Sequence, residues 1–179
     1  MSKKTLTRGF IQVYTGDGKG KTTAALGLAL RAVGHRFKVL MIQFLKGGIG
    51  YGELHAAKKL APYLTIVPMG RQNFVNKKNP DPQDRRWAQK GWNLAKQAVQ
   101  SHNYQMIILD EINVAVEYGM IPMPELITLM KSKPADLELV LTGRWAKPEV
   151  LRHADLITEM RAKKHYYKKG IDCRIGIER

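Results

Sequence analysis

The chain has 179 residues, carrying 30 lysines and arginines against 15 aspartates and glutamates, for a formal net charge of +15. That length suits one sizeable core rather than several, and no apolar run reaches the roughly 18 residues that a membrane-spanning helix needs. The charge calls for an anionic partner, but the basic residues come as scattered pairs such as Lys58-Lys59, Arg85-Arg86 and Lys168-Lys169. Scattered pairs are the pattern of solvated faces. A nucleotide or phosphorylated ligand is therefore expected, and a dedicated nucleic-acid partner or a membrane is not.

Met1 to Arg8 is basic without the apolar stretch of a secretory signal, and these residues are expected to be flexible. Phe10 to Tyr14 reads as a strand. The stretch Thr15-Gly16-Asp17-Gly18-Lys19-Gly20-Lys21-Thr22-Thr23 then supplies a glycine-rich turn and a helix start. Strand, glycine turn and helix N-terminus form a phosphate-binding loop, in which successive N–H groups and the helix dipole face one hollow. Lys21 is placed to reach the outer phosphates and the Thr22 hydroxyl to meet a Mg2+ ion. Thr15 departs from the usual pattern, standing where the first glycine of such loops falls.

The helix is expected from Thr22 to Val33, with Ala24, Ala25, Leu28, Ala29 and Ala32 on its buried side and Gly34 as its left-handed stop. Phe37 to Phe44 is almost wholly apolar, the mark of a strand covered on both faces. A loop at Lys46 to Gly52, a short helix from Glu53 to Leu60 and a strand from Leu64 to Pro68 follow. Gly70 to Gln83 is the longest irregular stretch. The helix from about Asp84 to His102 carries Trp87, Gly91, Leu94, Ala95 and Ala98 at helical spacing, which makes Trp87 a core residue. Gln105 to Glu111 is a buried strand ending in two acids, Asp110 and Glu111, expected beside a magnesium ion; the competing reading is that one of them caps the next helix, and with two acids both can hold. Strands are expected again at Leu137 to Leu141, Leu156 to Met160 and Ile171 to Ile177. Cys173, the single cysteine, falls in the last of these; it reads as a core residue, without a disulfide, and fits a cytoplasmic location.

The alternation predicts an α/β, single-domain, RecA-like P-loop fold spanning residues 1–179, mostly parallel, with helices on both faces of the sheet. Ligands of such sheets bind beyond the carboxyl ends of the strands. Gly16 to Lys21, Lys46 to Gly52, Asp110-Glu111 and Thr142 to Arg144 all fall at that edge.

The loop Thr-Gly-Asp-Gly-Lys-Gly-Lys-Thr-Thr, the strand Val-Leu-Met-Ile-Gln-Phe-Leu-Lys-Gly and the acid strand Ile-Ile-Leu-Asp-Glu-Ile-Asn occur here in that order. They are followed by Leu-Thr-Gly-Arg at 141–144, Ala-Asp-Leu-Ile-Thr-Glu-Met at 154–160 and Gly-Ile-Glu at 176–178. Together they resemble the P-loop class of cob(I)alamin (corrinoid) adenosyltransferases from about Gly9 to Glu178. The resemblance implies that ATP lies reversed in the loop and that Co(I) of a reduced corrinoid attacks its 5′-carbon, giving adenosylcobalamin or an adenosylated precursor and inorganic triphosphate. No protein nucleophile is needed; Lys21, Thr22 and Glu111 would act by positioning. By the same resemblance the nucleotide-binding residues are Thr15, Gly16, Asp17, Gly18, Lys19, Gly20, Lys21, Thr22 and Thr23, with Arg31 reaching the sugar and the Asp17 carboxylate turned away from the phosphates. Thr22 and Glu111 would hold Mg2+ (or Mn2+), with Asp110 just behind them. The corrinoid would meet Phe74, although Gly70 to Asn76 lacks the tryptophan of the family's glycine-phenylalanine-x-tryptophan stretch. A flavodoxin-type reductase and a homodimer are implied as partners. A RecA-like nucleic-acid-dependent ATPase or a small-molecule kinase are the other readings of such a loop, and both would release ADP.

Overall fold

The computed structural model describes residues 6–48, 50–73 and 75–178. Among these residues six strands form one sheet: β1 (Ile11–Thr15), β2 (Val39–Phe44), β3 (Leu64–Met69), β4 (Met106–Asp110), β5 (Glu138–Thr142) and β6 (Leu156–Glu159). Their order across the sheet is β3-β2-β4-β5-β1-β6, and every neighbouring pair runs parallel. The crossovers carry α1 (Lys21–Gly34), α2 (Gly52–Lys59), α3 (Pro82–Gln100), α4 (Ile112–Glu117), α5 (Met123–Ser132) and α6 (Pro148–Leu151). No helix among the described residues is long and apolar enough to cross a membrane.

Strand side chains alternate between two apolar layers, as the pleat requires. Leu40, Ile42 and Phe44 of β2, with Ile107 and Leu109 of β4 and Leu139 and Leu141 of β5, face α3, α4, α5 and α6. Val39 and Met41, with Met106, Ile108 and Val140, face α1 and α2. Small residues at the buried positions of α1, Ala25, Ala29 and Ala32, let that helix lie close on the sheet while favouring helix formation. Asp81 caps α3 by accepting a hydrogen bond from the Gln83 N–H at 2.7 Å, and Pro82 opens its first turn.

Four details differ from the sequence reading. Gly34 lies inside α1, and the left-handed residue that ends the turn is Arg36, at φ 61°. Trp87 is 36 % exposed, whereas Trp92 is fully buried and donates through its indole N–H to Glu125 at 2.6 Å. Ile171 to Ile177 forms no strand; it turns at Gly170 and Gly176, both at positive φ, and leaves Ile175 83 % exposed. Cys173, placed in the core by that expected strand, is exposed. Of the expected flexible residues 1–8, the first five lie outside the described residues.

Candidate nucleotide and metal site

Because every pairing is parallel, the carboxyl ends of β1, β2, β4 and β5 meet at one edge of the sheet, bringing the loops after them together. The loop after β1 is shaped by Gly16 and Gly20, at φ 97° and 121°, a region that excludes side chains at little cost only for glycine. Gly16 is also pressed by a neighbour: a Cβ there would lie 2.3 Å from the Met160 carbonyl oxygen. That same oxygen accepts the Gly18 N–H at 2.7 Å, so the segment after β6 braces the loop from behind. α1 begins at Lys21 with no side-chain cap and no acid in its first turn, leaving its terminal N–H groups for an anion.

Lys21 curls back over this hollow, its Nζ donating to the carbonyls of Gly16 at 2.9 Å and Gly18 at 2.6 Å. Burial pushes its amine below the ordinary lysine range, while Glu111 pulls the other way. Asp17 turns toward the C-terminal segment, where its carboxylate accepts the Ala162 N–H at 3.1 Å.

Asp110 ends β4 and is completely buried. Its Oδ1 accepts hydroxyl hydrogens from Thr22 at 2.9 Å and Thr142 at 2.6 Å. Its Oδ2 accepts from Lys46 Nζ at 2.7 Å and Gln43 Nε2 at 3.4 Å. Burial alone would lower the Lys46 amine, but Asp110, with Glu111 and Glu53, outweighs it and holds the amine above its ordinary value. The next residue has a contrasting environment. Glu111 takes a left-handed backbone (φ 61°) at the N-terminus of α4, and its N–H donates to Thr142 Oγ1 at 3.0 Å. Its carboxylate caps no helix and makes no hydrogen bond among the described residues. Burial, then the adjacent Asp110 charge, push that carboxyl above its usual range against the pull of Lys46, Lys21 and Arg144. A desolvated, unbonded carboxylate has a strong need for a cationic partner.

These groups open onto a cavity of about 720 Å3. Gly18 to Thr23, Lys46, Glu111 and Arg144 line its polar end. Leu26, Gly27, Leu30, Ala56, Leu60 and Leu64, from α1, α2 and the start of β3, line its apolar end. His165 and Gly176 to Glu178 form a further rim, with Lys19 Nζ 3.5 Å from the Ile177 carbonyl oxygen. Thr15, Gly16 and Asp17 instead line a second cavity of about 470 Å3 on the far side of the loop, which Arg144 also borders.

Thr22, Asp110 and Glu111 offer hard oxygen donors, the type that Mg2+ takes. Among the described residues no group of three or more His, Cys, Asp or Glu side chains could hold a metal ion by itself. Mg2+ commonly uses one or two protein ligands and completes its shell with water and substrate phosphate oxygens. The free Glu111 carboxylate and the Thr22 hydroxyl fit that mode.

The sheet edge thus brings Gly18 to Thr23 and Glu111 into one cavity, with Asp110 buried directly behind Thr22. Arg31 is not brought there; it is exposed near the end of α1 and lines neither cavity. Phe74 lies outside the described residues. The sequence reading put Lys46 and Thr142 to Arg144 at the ligand edge without giving them a role, and did not single out Gln43 or Glu53. One local signal existed for Gln43 and Lys46: a glutamine one residue before the end of an otherwise apolar buried strand, then a lysine three residues on.

A family model described as ATP:corrinoid adenosyltransferase BtuR/CobO/CobP matches residues 7–179. A corrinoid adenosyltransferase of a Sinorhizobium species is 36 % identical over 180 residues, spanning 99 % of this chain and 84 % of that protein. A corrinoid adenosyltransferase of Escherichia coli is 34 % identical over 171 residues, spanning 96 % and 86 % respectively. In fold, the chain is similar to a KaiC-like protein from the archaeon Pyrococcus horikoshii, with a TM-score of 0.53 at 13 % identity, over 89 % of this chain and 75 % of that one.

Proposed function

Since this chain belongs to the ATP:corrinoid adenosyltransferase family, we propose that it transfers the adenosyl group of ATP to a reduced corrinoid by attack of Co(I) on the 5′-carbon. The cobalt–carbon bond forms as the carbon–oxygen bond breaks, and the three phosphates leave as inorganic triphosphate. The observation that carries this reading is the two-ended cavity: a phosphate-binding end built on the loop runs directly into an apolar end at Leu26, Leu30, Leu60 and Leu64. A triphosphate suits the first, and the second can shelter an apolar reaction partner from water.

The nucleophile is the substrate's own cobalt, so the chain's residues position, neutralise and exclude water. Lys21 exchanges its two loop carbonyls for phosphate oxygens, which recover the interactions its buried amine lacks. The loop N–H groups and the α1 N-terminus hold the same chain of phosphates. Thr22 and Glu111 would hold Mg2+ or Mn2+, with Asp110 orienting Thr22 through its hydroxyl; such an ion would supply positive charge against the departing phosphates. Arg144, on the turn after β5, adds positive charge to the same cavity. The corrinoid is cobalamin or a precursor, and Phe74 contacts it.

The family resemblance further supports a homodimer and electron supply by a flavodoxin-type reductase. The isolated Cys173 supports a cytoplasmic location, and the one continuous sheet supports a single nucleotide-binding domain. The testing experiment supplies ATP, Mg2+ and chemically reduced corrinoid without oxygen and follows phosphorus products beside the corrin spectrum. Triphosphate and adenosylcorrinoid are expected in equal amounts, with no turnover when corrinoid is omitted. ADP release independent of corrinoid would replace this reading by a kinase or, if DNA stimulated it, by a nucleic-acid-dependent ATPase.

A further inference from the structure

Lys46 has no role in the reaction as described so far, yet its ammonium stands inside the metal subsite. Its Nζ is 2.7 Å from Asp110 Oδ2 and 3.3 Å from Thr22 Oγ1, the hydroxyl assigned to the metal. A lysine serving only to neutralise a buried aspartate could approach from the far side of the strand. Lys46 approaches from the cavity, which it lines.

Its backbone is held on both sides. Leu45 is left-handed at φ 61° and its N–H donates to the Met69 carbonyl at 3.2 Å. Gly47 lies flat against the turn after β3, where an added Cβ would fall 2.3 Å from the Gly70 carbonyl oxygen. Gln43, at the end of β2, bridges Asp110 and Glu53 beneath the ammonium, at 3.4 and 3.0 Å. The lysine is therefore aimed at this point by the fold, not carried there by a free loop.

The Thr22 hydroxyl gives its hydrogen to Asp110, so its lone pairs face Lys46 and the cavity. A Mg2+ or Mn2+ ion held by that oxygen would lie beside an ammonium already next to the same atom. Like charges at that separation in a half-buried site exclude each other. We propose that Lys46 is a built-in cation that keeps free divalent ions out of the subsite and gives way only to an ion delivered with the triphosphate. The phosphates supply the negative charge that lets both cations remain, with the ammonium still tethered to Asp110 and turned onto the phosphate chain. Metal loading is thereby tied to nucleotide loading. This inference rests on Thr22 and Glu111 being the metal-binding residues.

The test measures Mn2+ binding by electron paramagnetic resonance in the full chain, without nucleotide, so that no catalytic turnover is involved. Lys46→Met should bind free Mn2+ roughly ten-fold or more tightly than the unsubstituted protein, because a like charge has been removed. Lys46→Gln should do the same; its amide can still donate to Asp110, so it carries the test if the methionine variant fails to fold. Lys46→Arg keeps the charge and should match the unsubstituted protein. Unchanged or weaker Mn2+ binding in the neutral variants overturns the proposal. Failure of the metal assignment itself shows differently. With inorganic triphosphate present, Thr22→Val in the Lys46 background should lose the Mn2+ site, and an intact site there would move the metal away from Thr22.

Discussion

Asp110, buried behind Thr22 and Lys46 of the cavity wall, and Glu178, on the cavity rim, are held in opposite ways. Asp110 is fixed by Thr22 from α1, Gln43 from β2, Lys46 from the loop after β2 and Thr142 from β5, so four parts of the fold converge on one buried carboxylate. Glu178 is held within its own segment, by the Arg174 N–H at 2.9 Å, the Arg174 guanidinium at 3.2 Å and the Tyr166 hydroxyl. That cluster is partly exposed, and the segment that carries it meets the phosphate loop where Lys19 donates to the Ile177 carbonyl and the Ala162 N–H donates to Asp17. Exposed pairs of this kind contribute little to stability, whereas a buried carboxylate stripped of its partners costs much. The sheet edge is therefore set before any ligand arrives, and the rim built by residues 161–178 is free to adjust around one.

The sharpest way to break this contrast is at the loop. Lys21→Ala should lower kcat/KM by roughly a thousand-fold, the scale expected when a preorganised charge facing a leaving group is removed. Its melting temperature should stay close to that of the unsubstituted protein, because the lost amine is one that burial already disfavours. Steady-state kinetics beside a thermal melt check both halves, and near-normal activity would take the loop out of the mechanism. Asp110→Asn should damage stability as well. It removes the nearest countercharge of the largely buried Lys46, and urea unfolding should show a loss of about 3 kcal/mol, accompanied by weaker metal-nucleotide binding.

Residues 165–178 make the opposite forecast. Ending the chain after Lys164 should leave the melting temperature nearly unchanged and raise KM for ATP by roughly ten-fold, since it removes one wall of the cavity and no core side chain. A large stability loss would mean that the rim is part of the core after all.

How far the sequence foretold these two regions follows from the range of the interactions that build them. The loop, β2 and β4 are specified by local patterns, glycine spacing and continuous apolar runs, and they lie where those patterns put them. The tryptophans of α3 show where a local pattern stops deciding. Trp87 and Trp92 are both compatible with the stripe of Gly91, Ala95 and Ala98; the buried face proves to be Asp84, Ala88, Gly91, Trp92, Ala95, Ala98 and Val99. What selects it is distant in sequence: Trp92 packs into the core with Phe44 and Leu109, and Glu125, 33 positions away, accepts its indole hydrogen. Lys46 and Asp110 are 64 positions apart, so their contact has no local signature. The alternating Ile171-Asp172-Cys173-Arg174-Ile175 resembles a strand, but Arg174 and Glu178 fold the segment on itself instead of pairing it with β6.

The smallest effect, and the finest test of the contrast, lies in the pH response of that segment. Arg174 first, and then Tyr166, hold the Glu178 carboxyl down at about 2, against an ordinary value of 4.5. A carboxyl depressed by folding contributes stability that is complete above its unfolded value and is lost as pH falls toward the folded one. The window therefore runs from 4.5 down to about 2. Because the cluster is exposed, its loss should open the segment without unfolding the sheet. Limited proteolysis after Lys163 and Lys164, quenched and compared between buffers, would be confounded by the protease's own pH dependence. Hydrogen exchange at the Arg174 and Gly170 N–H groups, corrected for intrinsic rates, avoids that. Protection there should be constant from pH 7 to 5 and decline below 4.5, while Ile108 and Val140 in the sheet stay protected. Glu178→Gln should reproduce the low-pH behaviour at pH 7. If instead segment and sheet lost protection together, the rim would share the rigidity of the edge it faces.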